Sequence, residues 1–244
     1  MQTMRNTVNS LESNQLGDRR CRTQRVGDFI HKLSAAALDD LTSMEFPKLY
    51  PAGTVLFSER QMPPGVFVIL EGEVKLSINS SDGKRLILRI ARPGEILGLT
   101  STLSGNPCEK TAEALYSSKI APIARRDFLN FLMRNPEVYQ TVIEELSLHL
   151  NMAHEQLRTV GLSCNDPEKL ARLLLEWSQN GKATESGTRF RFPLTHEEIG
   201  EFIGTSRETV TRTLTTFRLR RLVAMSGSTL TIPNLSALEN YARG

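Results

Sequence analysis

Three charged side chains in one stretch of the sequence have types that suit the reading of DNA base edges. Arg207, Glu208 and Arg212 lie within THEEIGEFIGTSRETVTRTLTTFRLRRL, residues 195–222. An arginine can donate two hydrogen bonds to guanine O6 and N7, and a carboxylate can accept one from cytosine N4. A helix that turns these side chains outward could therefore recognise a base sequence.

Two short helices are predicted to carry them. Thr195 and Glu198 have the spacing of a capping box, so a helix should begin there. Gly204 interrupts the pattern, and Ser206 is a good N-cap for a second helix. Apolar residues at helical spacing give each helix one buried side: Ile199, Phe202 and Ile203 in the first, and Val210, Leu214 and Phe217 in the second.

Two helices joined by a glycine-containing turn are typical of a helix-turn-helix, whose second helix enters the major groove. Hydroxyl side chains near the helix starts suit contacts with phosphate, as do the free N–H groups there. These residues are Thr195, Thr205, Ser206 and Thr211. The alternative is a solvated amphipathic helix with internal ion pairs, but the two caps and the turn favour DNA binding.

The run TSRETVTRTL resembles the recognition helix of the Crp/Fnr transcription regulators, close to the cyclic-AMP receptor branch. The resemblance implies that Arg207, Glu208 and Arg212 read a half-site similar to TGTGA. Arg207 and Thr211 differ from the Fnr-like branch, which disfavours a TTGAT-like half-site. The resemblance to Crp/Fnr regulators also implies promoter binding, with recruitment or occlusion of RNA polymerase.

Length, charge and cysteine usage fit this class. The 244 residues suffice for two modest domains, and the net charge of +3 is compatible with DNA binding without identifying it. There is no signal-peptide pattern and no apolar run near the ~20 residues of a membrane helix. The scattered cysteines Cys21, Cys108 and Cys164 make no disulfide framework, so we expect a cytoplasmic protein with no membrane partner.

Short strand-like runs between turn signals follow from about Phe46 to Ala124 and predict a β-barrel or sandwich. Asp82-Gly83 marks a hairpin. The stretch PAGTVLFSERQMPPGVFVILEGEVKLS, followed by DGKRLILRIARPGEILG, resembles the cyclic-nucleotide-binding β-roll. The predicted fold is therefore α+β: a cyclic-nucleotide-binding-like β-roll, a long dimerisation helix and a carboxyl-terminal winged helix-turn-helix.

The resemblance also locates an effector pocket in PGEILGLTSTLSGNPCEKTAEA. Gly98 is retained, but Leu99 stands where relatives that bind nucleotides have Glu for the ribose. Lys110-Thr111 replaces Arg-Ser at the phosphate, and lysine cannot grip phosphate in a bidentate manner. The candidate effector residues are Gly98, Leu99, Thr100, Lys110, Thr111 and His154, with help from Ser101. These departures disfavour cyclic AMP and favour a solvated loop lysine at Lys110.

A long helix is predicted from Pro136 to about Leu162. Its apolar residues repeat with the 4-3 spacing of a two-stranded coiled coil, and they are Tyr139, Ile143, Leu146, Leu150, Ala153, Leu157 and Val160. The alternative, a helix packed only on the β-roll, needs a wider stripe. A parallel homodimer would place two recognition helices one DNA turn, about 34 Å, apart on a palindrome.

Other chemistries find little support in the sequence. An iron–sulfur cluster needs four cysteine ligands, and only Cys21 lies near the amino terminus. Haem needs an axial ligand, but His149 and His154 flank the predicted seam and are expected to be solvated. No metal-ligand set, nucleophile elbow or phosphate loop indicates an enzyme. The sequence thus identifies no certain cofactor and no metal.

The predicted organisation is a flexible tail over 1–26, a β-roll sensor over 27–134, the dimerisation helix over 135–164 and the DNA-binding domain over 165–244. Asn165-Asp166-Pro167 is the expected hinge, and a hairpin around Ser226-Gly227-Ser228 the expected wing. An effector or partner at the β-roll is expected to gate DNA binding. The alternative is a constitutive regulator whose β-roll is only a scaffold.

Overall fold

The protein is described by a computed structural model that covers residues 29–44, 46–162 and 165–242. The predicted tail over 1–26, Cys21 and Cys164 lie outside the described residues. The chain divides into one unit of Met1–Ile78 with Arg89–Asn151 and another of Asn79–Leu88 with Met152–Gly244. No described helix has both the length and the apolar character needed to cross a bilayer.

The first eight strands form two four-stranded sheets. Their bounds are β1 Lys48–Tyr50, β2 Val55–Phe57, β3 Gly65–Glu71, β4 Val74–Asn79, β5 Arg85–Ala91, β6 Ile96–Leu97, β7 Thr111–Ala114 and β8 Ser118–Ala124. The strand orders are β1-β8-β3-β6 and β2-β7-β4-β5. Asp82 and Gly83 lie between β4 and β5, so the predicted hairpin is present.

Strand β3 is the centre of the first unit because both of its faces are buried. Side chains alternate between the faces of a strand, so Val66 and Val68 lie in one hydrophobic cluster while Phe67 and Ile69 lie in another. The second cluster fills the inside of the β-roll. The Phe67 ring packs against Phe57 with centroids 5.6 Å apart.

The other hydrophobic cluster of this unit joins helices to the outer side of β3. A short 3-10 helix covers Ile30–Lys32, and the α-helices are α1 Ala35–Ser43, α2 Leu99–Ser104, α3 Arg125–Arg134 and α4 Val138–Leu162. The 3-10 helix and α1 therefore dock here through Phe29, Ile30, Ala37 and Leu41, all buried.

A polar network fixes α1 against the end of α3. The Asp40 carboxylate accepts from Arg134 Nε at 3.1 Å and Nη2 at 3.0 Å, and from Asn135 Nδ2 at 2.7 Å. The Arg134 hydrogen bonds, helped by Asn135, hold the pKa of Asp40 below its usual range although partial burial opposes this shift. Asp40 is therefore charged in the folded protein at neutral pH.

The second unit is a winged helix-turn-helix. Its elements are α5 Asp166–Ser178, β9 Lys182–Thr184, β10 Gly187–Arg191, α6 His196–Ile203, α7 Arg207–Leu219, β11 Ala224–Ser226, β12 Thr229–Ile232 and α8 Leu235–Ala242. The strand order is β11-β12-β10-β9. Asn165 caps α5 and Asn234 caps α8 through their side-chain oxygens.

The core of this unit is aromatic and aliphatic. Trp177 on α5 packs edge-on to Phe192 with centroids 4.9 Å apart, and Phe217 on α7 packs against Tyr241 on α8 at 5.1 Å. Leu170, Leu173 and Leu174 are buried with Trp177, as their helical spacing predicts. The predicted α+β fold, with β-roll, long helix and winged helix-turn-helix, is confirmed. The predicted boundaries at 27, 135 and 165 stay predictions.

The turn between α6 and α7 depends on the absence of a side chain at Gly200. A Cβ built there would lie 2.7 Å from the Thr205 carbonyl oxygen, a distance that real contacts do not tolerate. The amide of Thr205 also donates to the Gly200 carbonyl at 2.9 Å. The backbone of the turn therefore lies directly on the first helix.

We expect Gly200→Ala to lower the free energy of unfolding by about 1–3 kcal/mol, because the added methyl group must push this backbone aside. Gly161→Ala is the matched control. Gly161 is helical with open space around its Cβ position, so alanine there should be neutral or stabilise by up to about 1 kcal/mol. Urea unfolding of both variants measures the difference, and equal stabilities would contradict the close turn.

Candidate functional site

The caps predicted from sequence orient α6 and α7. Thr195 Oγ1 accepts from the Glu198 amide at 3.2 Å, and Glu198 Oε2 accepts from the Thr195 amide at 3.0 Å, which completes a capping box. Ser206 Oγ accepts from the Thr209 amide at 3.2 Å at the start of α7. Gly204 ends α6 at φ 70°, a conformation that glycine adopts without strain.

The rotation of α7 turns the predicted base-reading side chains to solvent. Val210 and Phe217 are almost completely buried, so the opposite side of the helix is exposed. Glu208 and Arg212 are exposed on that side, and Arg207 is exposed on the shoulder of the first turn. The pKa of Glu208 lies below its usual range because the carboxylate accepts hydrogen bonds from its own amide and from Ser206. Glu208 is therefore an ionised acceptor at neutral pH.

The hydroxyl groups predicted to contact phosphate all have structural partners. Thr195 and Ser206 act as caps. Thr205 Oγ1 donates to Asp166 Oδ2 at 2.8 Å, which links the turn to α5. Thr211 Oγ1 donates to the Arg207 carbonyl at 2.9 Å. Of these four residues Thr205 is half-buried, and the others are exposed on the surface that carries the arginines.

His196 is a residue of this surface that sequence reasoning missed. Its Nδ1 lies 2.8 Å from Thr211 Oγ1. The contact joins the first turn of α6 to the recognition helix. It spans fifteen positions in the sequence, so no local pattern indicates it.

A second set of predicted residues surrounds a small cavity in the β-roll. Gly98, Leu99, Thr100 and Lys110 line it as predicted, together with Ser101. The cavity has a volume of about 10 Å³, which is room for about one water molecule. A nucleotide could enter only if side chains in the wall moved.

Two further side chains line this space. Arg89 and His149 line the cavity and contact each other, with Arg89 Nη2 3.0 Å from His149 Nε2. The other guanidinium nitrogen, Nη1, donates to Glu95 Oε2. Arginine has donors only, so His149 Nε2 must be the acceptor. His149 therefore presents an unprotonated Nε2 to Arg89.

Four expectations about this region need correction. His149 was expected to be solvated, but its side chain is only 15% exposed and is held by Arg89. Lys110 was expected to be a solvated loop lysine, but burial lowers its pKa, and the charge of Arg89 lowers it further. Thr111 does not line the cavity, and its hydroxyl accepts from the Glu59 amide at 3.0 Å. His154 is exposed, as expected for a solvated histidine, but it does not line the cavity as the effector prediction required.

The predicted seam on α4 is largely uncovered in the single chain. Ile143 is 62% exposed, Leu150 58% and Leu157 67%. Tyr139 and Ala153 are also exposed, whereas Leu146 packs against the cluster that joins the helices to the outer side of β3, and Val160 is half-buried. An apolar row of this length facing solvent is unusual for a monomer and is typical of an interface.

Comparison with known proteins agrees with both halves of this description. Residues 47–135 match the cyclic nucleotide-binding domain, and residues 168–241 match the Crp-like helix-turn-helix domain. The chain belongs to the Crp/Fnr family. This Crp/Fnr protein is therefore a DNA-binding transcription regulator, and the family consists of regulators rather than enzymes.

Named relatives span most of its length. The CRP-like cAMP-activated global transcriptional regulator of Mycobacterium tuberculosis is 26% identical over 209 residues, 85% of this chain and 93% of that protein. The nitrogen fixation regulation protein FixK of Bradyrhizobium diazoefficiens is 26% identical over 211 residues, 86% and 87% of the two chains. The structure of FixK2 from Bradyrhizobium japonicum superposes with TM-score 0.71 at 22% identity, covering 81% of this chain and 96% of that one.

Proposed function

We propose that this Crp/Fnr regulator is a homodimer that reads a palindrome with TGTGA-like half-sites. The exposed trio Arg207, Glu208 and Arg212 on the first turns of α7 carries the proposal. The first turns of a recognition helix contact base edges, and these side chains offer two guanine-binding groups and one cytosine-binding group. The ionised state of Glu208 suits the acceptor role.

Contacts with the DNA backbone complete the proposed interface. Thr195, Thr205, Ser206 and Thr211 hold the two helices in position, and the three exposed hydroxyls are available to bind phosphate. Free N–H groups at the start of α7 add a favourable dipole. These contacts are expected to fix the register of the helix without carrying sequence information.

Dimerisation is proposed through the seam of α4, formed by Tyr139, Ile143, Leu146, Leu150, Ala153, Leu157 and Val160. Its 4-3 spacing matches a two-stranded coiled coil. Pairing would remove the exposed side chains of Leu150 and Leu157 from water and would present two recognition helices to a palindrome. Crp/Fnr regulators act as dimers on double-stranded DNA.

Gating by an effector or partner at the β-roll is the preferred mode of regulation. A ligand that favours one conformation shifts the population of DNA-competent dimers by its difference in affinity between the states. The candidate site is the cavity lined by Gly98, Leu99, Thr100 and Lys110. Cyclic AMP is disfavoured, because Leu99 cannot bind a ribose hydroxyl and because the cavity lined by Arg89 and His149 is too small for a nucleotide.

The second candidate is a constitutive regulator whose β-roll serves as scaffold. The small cavity and the Arg89–His149 contact favour it. In either case we propose that the regulator acts on promoters, in contact with RNA polymerase and in the cytoplasm, where bacterial-type promoters are read. The M. tuberculosis relative is named as cAMP-activated, and that property is not carried over to this chain.

Replacing Arg212 tests the assigned base reading. Arg212→Ala should weaken binding to a TGTGA palindrome by about 1–3 kcal/mol per half-site and relax preference at one base pair. Arg126→Ala is the matched control, because it removes one exposed arginine from α3. Fluorescence anisotropy with palindromic and scrambled duplexes measures both. An equal loss on the two duplexes would assign Arg212 to phosphate and refute the base contact.

Replacing Leu150 tests the dimer. Leu150→Asp should give monomers in analytical ultracentrifugation and lower operator affinity more than about a hundredfold, because the second half-site loses its effective concentration. The neighbouring Asn151→Asp adds the same charge at an exposed position beside the seam and should remain dimeric. A dimeric Leu150→Asp protein would refute the coiled-coil interface.

A further inference from the structure

Three potential metal ligands converge beside the β-roll cavity, within the first unit. One ligand atom from each of Glu95, Glu145 and His149 lies within 4.8 Å of the others. Both carboxylates are almost completely buried, each with 1% of its side chain exposed. His149 lies at the cavity wall, which gives the cluster a route to solvent.

Local structure holds these donors in place. Glu145 and His149 are four residues apart on α4, so their side chains lie on the same face of the helix. Glu95 follows β5 in a turn, where its Oε1 accepts from the Arg92 amide at 2.8 Å. The helix α4 therefore contributes two donors to the site, and the turn after β5 contributes the third.

One carboxylate oxygen of the cluster lacks a hydrogen-bond donor. Glu145 Oε1 is buried and has no hydrogen-bond partner in the part of the chain that the structure describes. His149 Nε2 lies 3.4 Å from it, but this nitrogen accepts from Arg89 and carries no proton to donate. A buried carboxylate oxygen without a hydrogen-bond donor destabilises the folded protein. Glu145 Oε1 therefore faces His149 Nε2 with no proton between them.

We propose that Glu95, Glu145 and His149 bind one divalent first-row transition metal ion, with Zn²⁺ as the best match. An ion placed among the three would accept electron pairs from both Glu145 Oε1 and His149 Nε2. The Arg89 guanidinium donates to His149 Nε2 but leaves Glu145 Oε1 without a partner. Zinc takes carboxylate and imidazole ligands and uses three protein ligands with an open position for water. Ca²⁺ fits poorly, since it requires six to eight oxygen ligands.

Arg89 takes the place of the cation in the structure described here. Its guanidinium neutralises Glu95 and occupies the lone pair of His149. A metal ion must displace this guanidinium from Glu95 and His149. Arg89 and the metal ion therefore compete for the same two ligands, so Arg89 tunes the affinity of the site.

This inference goes beyond the proposed function, and metal binding can be tested without DNA. Isothermal titration of Zn²⁺ into the full, tag-free chain should show one site per protomer that involves His149. Glu145→Gln and His149→Gln should each weaken that site more than about tenfold, since even the loss of groups that only support ligands costs 10–100-fold. His154→Gln is the matched control, an exposed histidine on the same helix outside the cluster, and should bind as the unmodified chain does.

Arg89→Gln supplies the decisive contrast. It removes a competing cation, so it should tighten Zn²⁺ binding, whereas a supporting role for Arg89 predicts weaker binding. Circular dichroism confirms that each variant is folded, and Co²⁺ absorption reports nitrogen and oxygen ligation rather than thiolate. Zn²⁺ binding that is absent, or unchanged in both Glu145→Gln and His149→Gln, would overturn the site. Weaker binding in Arg89→Gln would overturn the competition.

Discussion

Val210, Leu214 and Phe217 on α7 are nearly inaccessible to solvent, and their burial sets the rotation of the recognition helix about its axis. Once that stripe faces the core, Glu208 and Arg212 face outward, and Arg207 is exposed on the shoulder of the first turn. The caps at Thr195 and Ser206 set where the two helices begin, and the close approach at Gly200 sets how they meet. The DNA-reading surface is thus a consequence of packing behind it.

The sensor half follows a different constraint, the neutralisation of buried charge. Glu95 and Glu145 are buried carboxylates, and such groups persist only when they are paired with cations or donors. Arg89 satisfies Glu95 and takes the lone pair of His149, which leaves Glu145 incompletely satisfied. The polar side of the cavity is therefore occupied by the chain itself. Any effector must replace an interaction that already exists there.

The sequence predicted well wherever the signal is local. Thr195 with Glu198, the Ser206 cap, the Asp82-Gly83 hairpin and the 4-3 row on α4 involve neighbours within one or two turns. The structure shows the caps and the hairpin and leaves most of that row exposed. These features depend only on residues close in sequence, so a short stretch of sequence is enough to predict them.

The sequence misled us where the contact is long-range. Arg89 and His149 are sixty positions apart, and nothing in either segment indicates that they meet. His149 lies beside an exposed seam, which suggested solvation, yet it turns toward the β-roll. Lys110 likewise follows a polar loop that the fold partly buries. The one local hint of the cluster was the four-residue spacing of Glu145 and His149, which common ion pairs also show.

The most direct measurement is the affinity of the purified protein for a TGTGA palindrome and for a scrambled duplex, each with and without cyclic AMP. We predict preference for the palindrome, with cyclic AMP leaving that preference unchanged because the cavity lined by Arg89 and His149 is too small for a nucleotide. Equal affinity for both duplexes in either condition would contradict the assigned DNA recognition. Preference that arises only with cyclic AMP would contradict the assignment of the cavity.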